Sequence, residues 1–420
     1  MYYSVGKWNL GLHELSYTPT SRGFQTSYGI LSVGCDLFDQ RAFTVQCFDE
    51  SIPVRDHWVN DSYAEIPLGT YNEQRYTSAA TRIIDNHAKT KRSRPMFMYI
   101  ASQATHVPIK TTDEFKKMYP NVTYELQKEY YGMVSMIDSM VHNVTMSLKR
   151  NGMWNNTLFI WASDNGAPIM PFDGNDLWKS ACGSNWPLRG GKGTHWEGGV
   201  RVPGFISGGY LPHSQRGKRL KGMVHLVDWY ATILGLAGLI DDDNIISPVD
   251  GVDLWPWLRG AVSSSPRKMM VYHHSIADVH NRSAIGALRV GRYKLMMGSQ
   301  ILATWYGGPE NNYFSPNQSV PIMIKKLRAC DTETPCIFDV DSDPTEHVDI
   351  SSRNKALLDE LIRIWDGLFD SYHPPGKETI KIVDHDLMCA SFNASNYFIY
   401  PYLNFTLSTS PIKRNKFRVL

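Results

Sequence analysis

Two apolar runs with a long amphipathic segment between them constrain the fold of this chain more than any other feature. The runs are Met96–Ala101 and Leu158–Ala162, and each is typical of a β-strand buried on both faces. Between them, apolar residues recur at helical spacing from Tyr124 to Arg150. Strand, helix and strand in this order predict a βαβ unit, and therefore an α/β fold with a mostly parallel sheet flanked by helices.

The second half of the chain has a different pattern. Ser283–Met297 alternates apolar and polar residues as an antiparallel strand does, and Ile337–Val340 predicts a further strand. An apolar stripe over Leu357–Leu368 predicts a helix with one buried face. We therefore expect an α/β domain over residues 1–280 and a smaller α+β domain, an antiparallel sheet plus a helix, over residues 281–420.

Charge and hydropathy limit the partners. Lys and Arg number 43 against 41 Asp and Glu, which leaves a formal charge of +2 and argues against nucleic acid or an anionic membrane surface as the main partner. The longest apolar candidate, Met223–Ile240, is interrupted by His225 and Asp228, so a helix of a soluble domain is the better interpretation. We expect no nucleic-acid partner and no membrane span, and the oligomeric state stays open.

Glycosylation acceptors and cysteine spacing favour the secretory pathway. Eight N-x-S/T acceptors occur, at Asn60, Asn121, Asn143, Asn155, Asn281, Asn317, Asn393 and Asn404. Cys35 with Cys47, and Cys330 with Cys336, are spaced like local disulfide loops, although six buried thiols in a cytosolic protein are the alternative. Met1–Lys7 has neither the basic start nor the apolar core of a secretion signal. We expect a lysosomal or extracellular protein whose beginning is missing from these 420 residues.

Three candidate strands each end in a residue that can do chemistry. Tyr2–Val5 is followed by Lys7, and the other two strands are followed by His106 and by Asp164 with Asn165. Taken singly, such residues are more often solvated charges or plain turns. Ligands of open α/β sheets, however, bind outside the carboxyl ends of the strands, so the shared position favours a functional site.

The third strand end also suggests what the site binds. Asp164 and Asn165 offer a carboxylate and an amide oxygen side by side, the ligand type that calcium takes. The following loop, Arg189–Gly193, sets Arg189 and Lys192 among glycines, where backbone amides and side chains can converge on an anion. A metal end and an anion end on one segment predict an anionic substrate held against a cation.

Four stretches carry a resemblance to a known family. They are GKWNLG at residues 6–11, ATHVP at 104–108, NGMWNNTLFIWASDNG at 151–166 and NWPLRGGKGTHWEGGVRVP at 185–203. In this order they resemble the sulfatases, and most closely the arylsulfatase B branch of N-acetylgalactosamine-4-sulfatases. HLVDWYATILGLAG and CIFDVDSDPTEH extend the resemblance over nearly the whole chain.

The resemblance implies an alkaline-phosphatase-like α/β domain and a sulfated sugar, a glycosaminoglycan or a small sulfate ester as substrate. In this family a cysteine of C-x-P-S-R becomes formylglycine, whose hydrate attacks sulfur. Asp164 and Asn165 then match two of the calcium ligands, while Lys7, His106 and Lys192 match residues that hold or protonate the sulfate ester. These roles agree with the chemistry, since fixed cations stabilise developing charge and a histidine can donate the leaving-group proton.

The departures from the family pattern are as informative as the matches. None of the six cysteines begins C-x-P-x-R, and Asn9 stands where the family's GKWHLG has a catalytic histidine. Asparagine can hydrogen-bond an oxyanion but cannot transfer a proton near neutral pH. The family's early Asp pair is also absent, which leaves half of the calcium site. We expect a sulfuric ester hydrolase by family that is inactive as it stands.

Two alternatives stay open. The chain can be a non-catalytic relative that binds sulfated glycans or a protein partner, which the Asn9 substitution favours. A two-metal phosphatase is less favoured, because the strand ends supply too few His and Asp ligands. An α/β sheet without all its interior strands would expose apolar edges, so we also expect this chain to fold poorly alone.

Overall fold

The computed structural model describes residues 1–12, 14–47, 50–64, 67, 69–168, 183–239, 249–278, 283–298, 300, 305, 330 and 334–368. The side chains of residues 43–53 and 274–284 are outside this description. Met1–Trp154 form one compact unit, and the described residues from Asn155 onward form a second.

Among the described residues, six strands precede three helices in the first unit, and a seventh strand follows the first of those helices; in the second unit two strands alternate with short helices before a run of four strands and a final helix. The strands are β1 (Tyr2–Lys7), β2 (Thr26–Ile30), β3 (Arg41–Cys47), β4 (Glu50–Arg55), β5 (Trp58–Val59), β6 (Ser62–Tyr63), β7 (Phe97–Ala101), β8 (Phe159–Ala162), β9 (Gly204–Ser207), β10 (Met269–Asp278), β11 (Ser283–Val290), β12 (Tyr293–Met297) and β13 (Cys336–Asp339). The α-helices are α1 (Asn72–Thr90), α2 (Asp113–Lys116), α3 (Glu125–Arg150), α4 (Glu197–Val200), α5 (Asp228–Ala237), α6 (Trp255–Leu258) and α7 (Lys355–Gly367).

A five-stranded sheet is the framework of the first unit. Its order is β6-β5-β2-β1-β7, with β2, β1 and β7 parallel and the short strands β5 and β6 antiparallel. The central strand β1 is buried over most of its length, and Val5 has no exposed surface. Helices α1 and α3 bury apolar faces that include Ile84 and Met133. The predicted α/β fold with a mostly parallel, helix-flanked sheet is confirmed.

Glycines set the spacing of the three parallel strands. Gly6 and Gly29 have φ values of 100° and 154°, in the region that side-chain-bearing residues rarely adopt. A Cβ on Gly6 would lie 2.0 Å from the carbonyl oxygen of Ala101, and one on Gly29 would lie 2.0 Å from that of Gly6. The backbones therefore approach so closely at the end of β1 that only glycine fits.

The predicted βαβ unit is wrong in one respect. β8 pairs antiparallel with β9, and the two form a separate two-stranded sheet rather than extending the five-stranded one. The side chains of β8 are half-buried or exposed, not buried on both faces. The apolar residues of β8 find their contacts on β9, because the rings of Phe159 and Trp161 stack on Phe205 at centroid distances of 6.2 and 5.5 Å.

A four-stranded antiparallel sheet with a helix against it occupies the second unit, as predicted. Its order is β10-β11-β12-β13. Helix α7 packs Leu361 and Trp365 into a core formed with Leu288, Leu295 and Ile337. The first strand begins at Met269, before residue 281, and the expected division between residues 1–280 and 281–420 stays a prediction.

One of the two expected disulfides is present. Cys330 and Cys336 are bonded, which confirms that pair. Cys35 is a buried free thiol, so the expected Cys35–Cys47 bridge is wrong. Its sulfur instead accepts a hydrogen bond from Asn72 Nδ2 at 3.4 Å. Among the described helices, none combines the length and the apolar character that a membrane crossing requires.

Candidate functional site

Lys7 and Asn9 flank a buried anchor at the end of β1. Trp8 lies inside the unit, where its indole N–H donates to the Tyr17 carbonyl at 2.8 Å and its backbone N–H donates to Ile30 at 2.9 Å. Lys7 is half-buried, and Asn9 is exposed with a φ of 53°, a conformation that asparagine tolerates better than most residues. The anchor fixes the backbone on both sides of Trp8 and so positions both polar residues.

His106 follows the neighbouring strand β7 and is held by its own loop. Its backbone N–H donates to the Gln103 carbonyl at 2.9 Å, and Nδ1–H donates to the Val107 carbonyl at 2.9 Å. The proton of the neutral ring therefore sits on Nδ1, and Nε2 is the atom that gains or gives a proton. A Cβ on Gly34 would lie 3.7 Å from Nδ1, so the loops that follow β2 and β7 lie side by side.

A buried carboxylate that sequence reasoning missed organises this end of the sheet. Glu73, in the first turn of α1, has no exposed surface, and its Oε1 accepts the backbone N–H groups of Gln103 and Ala104, both at 2.8 Å. Burial raises the pKa of Glu73 to about 7, although these two N–H groups and the charge of Lys7 act to lower it. An acidic residue in a first helical turn is ordinarily a favourable exposed charge, so its sequence position gave no signal.

Asn72 and Gln103 extend the same network to the loop after β2. Asn72 Nδ2 donates to Gln103 Oε1 at 3.2 Å, and Gln103 Nε2 donates to the Cys35 carbonyl. Burial is the main cause that raises the pKa of the Cys35 thiol, which makes Cys35 a packing residue and not a nucleophile. Within the first unit, the structure thus brings Lys7, Asn9 and His106 to the carboxyl ends of the adjacent strands β1 and β7.

Asp164 and Asn165 form the turn that follows β8 in the second unit. Asp164 is exposed, and Asn165 Nδ2 donates to the Gly166 carbonyl at 3.0 Å. The Ser163 hydroxyl donates to the Asn165 carbonyl at 3.0 Å. A Cβ on Gly166 would lie 1.8 Å from the Gly198 carbonyl oxygen, so this turn lies directly against the start of α4.

The turn after β8 is joined to the glycine-rich loop that carries Lys192. The backbone N–H of Lys192 donates to the Ala167 carbonyl at 3.0 Å. Asn185 donates from Nδ2 to the carbonyls of Ala167, at 2.8 Å, and Gly190, at 3.1 Å, and accepts the Ala167 N–H at 2.8 Å. The backbone of Lys192 is therefore linked, through Ala167, to the turn that carries Asp164 and Asn165. That these three residues form one site stays a prediction.

Arg189, the second cation of that loop, packs against aromatic rings. The Arg189 guanidinium is packed between the rings of Trp196 and Trp305, 3.8 and 4.5 Å from their centroids. Its Nη1 donates to the Glu346 carbonyl at 3.1 Å. The expectation that Arg189 converges with Lys192 on an anion is therefore wrong, since Arg189 is a packing residue.

A buried charge cluster lies behind the Lys192 loop. Lys294 of β12 has no exposed surface, and its Nζ lies 3.0 Å from Glu197 Oε1 and 2.8 Å from Glu346 Oε1. Arg201 reaches the other oxygen of Glu197 at 3.6 Å. Glu346 Oε2 also accepts the backbone N–H of Glu197 at 2.7 Å. This cluster fixes the start of α4, and with it the end of the Lys192 loop, to the antiparallel sheet.

Calcium requires more ligands than the side chains of Asp164 and Asn165 supply. It takes six to eight oxygens, and Asp164 with Asn165 offers at most three. In the part of the chain that the structure describes, no group of three or more His, Cys, Asp or Glu side chains is arranged to hold a metal ion. Calcium at this turn stays a prediction, and no chemical step is assigned to it below.

A serine form of the nucleophile motif does occur. Ser51–Arg55 reads S-x-P-x-R. The expectation that the chain contains no nucleophile motif is therefore wrong for the serine form. These residues lie on β4, paired antiparallel with β3 from Arg41 to Cys47. They also follow GKWNLG in the chain, whereas the family's cysteine motif belongs to the segment before it.

Comparisons with known proteins agree with this architecture. The family model named Sulfatase matches residues 2–239, which is more than half of the chain. Mouse arylsulfatase J is 32% identical over 378 residues, covering 86% of this chain and 58% of that protein. Mouse N-acetylgalactosamine-6-sulfatase is 30% identical over 376 residues, covering 86% of this chain and 64% of that protein.

A solved structure is also similar to this chain in fold. The crystal structure of Ps i-CgsB superposes with a TM-score of 0.65 at 25% identity, over 89% of this chain and 72% of that one. The chain spans less than two thirds of the lengths of the mouse relatives above. The narrower resemblance to N-acetylgalactosamine-4-sulfatases stays a prediction. The family match and the 32% identity over 86% of the chain show that this chain belongs to the sulfatase family.

Proposed function

We propose that this chain binds the sulfate ester of a carbohydrate, with Lys7 and His106 of the first unit as binding groups. Lys192 of the second unit is proposed as an anion-binding group of its own unit. By family the reaction class of the chain is sulfuric ester hydrolysis. We further propose that these 420 residues do not hydrolyse the ester by themselves, because none of the cysteines lies in the formylglycine motif.

The observation that carries the proposal is the placement of Lys7 and His106. Lys7 is the last residue of β1 and His106 follows β7, and these are neighbouring parallel strands with Gly6 paired to Ala101. Both residues therefore lie at the sheet edge where α/β proteins bind ligands. Glu73 supports that edge by holding the backbone two and three residues before His106.

The chemistry of these groups suits a sulfate ester. A lysine ammonium stabilises negative charge on the sulfate oxygens. His106, with Nδ1–H committed to the Val107 carbonyl, presents Nε2 for proton exchange with the bridging oxygen. If a nucleophile attacked the sulfur, this histidine could protonate the sugar oxygen as the bond between sulfur and that oxygen breaks.

Asn9 favours the second candidate function, a non-catalytic sulfate-binding protein. It stands in the position of a family histidine, on the exposed side of the buried Trp8 anchor. An amide there can donate a hydrogen bond to a sulfate oxygen, but it cannot relay a proton. This substitution is internal, so the missing cysteine motif does not account for it.

Calorimetric titration with a sulfated N-acetylgalactosamine tests the binding role. We expect the full chain to bind the sulfated sugar and not the unsulfated one. Lys7→Ala and His106→Ala should each weaken binding about tenfold, since a charge-assisted hydrogen bond contributes about 1.5–3 kcal/mol. Lys192→Ala tests the proposed anion-binding role of the second unit in the same titration. Lys117→Ala, at an exposed lysine of the first unit, is the matched control. Equal affinity for the unsulfated sugar contradicts the proposal.

A hydrolysis assay separates the binding protein from an enzyme. We expect no release of sulfate from an aryl sulfate by the chain of residues 1–420. Turnover above that of buffer would overturn the proposed inactivity. If turnover is seen, Ser51→Ala and a mass-spectrometric search for formylglycine at residue 51 decide whether the S-x-P-x-R motif supplies the nucleophile.

We also propose passage through the secretory pathway, to the lysosome or the exterior. The Cys330–Cys336 disulfide and the eight N-x-S/T acceptors support it. When the chain is expressed behind a secretion signal, glycosidase treatment should lower its apparent mass. An unchanged mass would contradict this location.

A further inference from the structure

Six cations gather where α1 and α3 end, in the same unit as Lys7 and His106 but on other elements. We call this group the basic patch. It comprises Lys89, Lys91, Arg92, Arg94, Lys149 and Arg150. All lie in the first unit, and all are exposed except Lys91, which is half-buried.

The two helix ends are locked together, so the patch is a fixed surface. Asp85 of α1 accepts hydrogen bonds at Oδ1 from the Ser147 hydroxyl, at 2.8 Å, and from Asn151 Nδ2, at 2.6 Å. A cavity of about 400 Å³ lies between the helix ends, lined by Ala88, Lys89, Arg92, Arg150, Asn151 and Gly152. A Cβ on Gly152 would lie 3.2 Å from Arg92 Nη2, so Arg92 lies against the turn that ends α3.

Negative charge near the basic patch is scarce. Residues 86–95 and 139–152 contain neither Asp nor Glu. Asp85 is the one acidic partner that the described structure gives these cations, 4.0 Å from Arg150 Nη2, and it is already engaged by Ser147 and Asn151. Those two hydrogen bonds, followed by the charges of Arg150 and Lys89, hold the pKa of Asp85 below its usual value.

Helix capping alone does not explain so much charge. Cations are favourable at helix C-termini, where each helix carries roughly half a negative charge. Two helix ends therefore account for about one of the six positive charges. One carboxylate accounts for one more, and about four remain on one exposed surface.

We propose that the basic patch binds a chain of sulfated polysaccharide, at a site separate from Lys7 and His106. Segments of five to eight residues rich in Lys and Arg bind nucleic acid or heparin-like chains. The chain as a whole carries a formal charge of only +2, which disfavours nucleic acid. The choice of a sulfated chain over other polyanions rests on the proposed function. The positive charge of the patch is an observation that is independent of that function. The site would retain a long substrate while single esters are engaged elsewhere.

Salt-dependent binding of the full chain to heparin tests this site. The variant Lys89→Ala/Arg92→Ala/Arg150→Ala removes three cations of the patch. Lys218→Ala/Arg219→Ala/Lys221→Ala removes three exposed cations from another basic segment and is the matched control. We expect the first variant to bind heparin at least tenfold more weakly in 0.15 M salt. The slope of log K against log salt should fall by roughly two to three, as expected for released counterions.

Each outcome bears on the proposal. Equal weakening by both triple variants, or by neither, would overturn it. Binding of unsulfated heparosan or of DNA as tight as that of heparin would overturn the choice of a sulfated chain. Lys7→Ala should weaken heparin binding less than the patch variant does, because the patch makes most of the contacts with a long chain. Equal or greater weakening by Lys7→Ala would show that the polysaccharide is held at the proposed ester site and not at the basic patch.

Discussion

Glu73 is the residue on which the first-unit site depends. It accepts two backbone N–H groups of the loop that carries His106, and it does so while fully buried. In the folded protein burial raises the pKa of Glu73 to about 7, whereas the ordinary pKa of an exposed glutamate is 4.5. Between these two values the folded state binds more protons than the unfolded state. Stability from this residue therefore falls as the pH rises through that window.

Glu73→Gln should remove this pH dependence. The amide oxygen can still accept both N–H groups, and it carries no charge that burial penalises. Relative to the variant, the wild-type chain should lose up to about 3 kcal/mol of unfolding free energy between pH 4.5 and pH 7. Urea unfolding at both pH values measures the difference. Glu114→Gln, at an exposed glutamate, is the control and should keep the wild-type pH dependence. Loss of the pH dependence in this control, or its persistence in Glu73→Gln, would contradict the assignment.

At the scale of elements, the Lys294 cluster joins pieces that are far apart in sequence. It connects the start of α4, strand β12 and the turn after β13 through one cation and two carboxylates. Lys294→Met would leave Glu197 and Glu346 buried without their cation, which should cost about 3–5 kcal/mol of unfolding free energy.

Chemical unfolding of three proteins tests that cluster. Lys294→Met/Glu197→Gln/Glu346→Gln has no buried charge and should recover much of the loss, because a neutral buried group lacks the desolvation penalty of an ion. Lys268→Met, at an exposed lysine, should change stability by less than about 0.5 kcal/mol. A loss of 3 kcal/mol or more that the triple variant does not reduce would show that packing around Lys294, and not charge, explains the effect.

The same elements show what sequence could and could not predict. Helix α3 and the hairpin from β11 to β12 follow from local periodicity, because the pattern of each reflects one buried face. Strand β7 follows from its unbroken apolar run, although its side chains are half-buried or exposed and not buried on both faces as expected. The partner of β8 does not follow, because an apolar run of four residues pairs equally well in either direction. Arg189 was misassigned for a related reason. A glycine-rich loop with a cation looks the same whether the cation meets an anion or two tryptophans brought from residues 196 and 305.

At the scale of the whole molecule, β7, the last strand in the order of the five-stranded sheet, is a candidate site of aggregation. Within the described residues β7 pairs with β1 on one side only, and its sequence, Phe97–Ala101, carries no charge. Tyr99 on this strand is 46% exposed. An uncharged apolar edge strand is a template for pairing with another chain.

We therefore expect the purified chain to self-associate and to unfold without a sharp transition. Tyr99→Lys should reduce light scattering on heating, since a charge on an edge strand opposes strand pairing. Val134→Lys places the same charge at a site of equal exposure, 46%, on helix α3, and should have little effect. A cooperative thermal transition of the unmodified chain without aggregation would contradict this expectation.

The glycine contacts beneath Lys7 bear on how inherited variants of such a protein should be interpreted. A methyl group at residue 6 or 29 would collide with a backbone carbonyl at 2.0 Å, whatever ligand the protein binds. Gly6 and Lys7 are adjacent in the chain, yet substitutions there would impair function for different reasons. A substitution of Gly6 prevents assembly of the sheet, whereas a substitution of Lys7 removes a charge. A damaging allele in GKWNLG therefore identifies a ligand-binding group only if the variant protein still reaches its normal abundance in the cell.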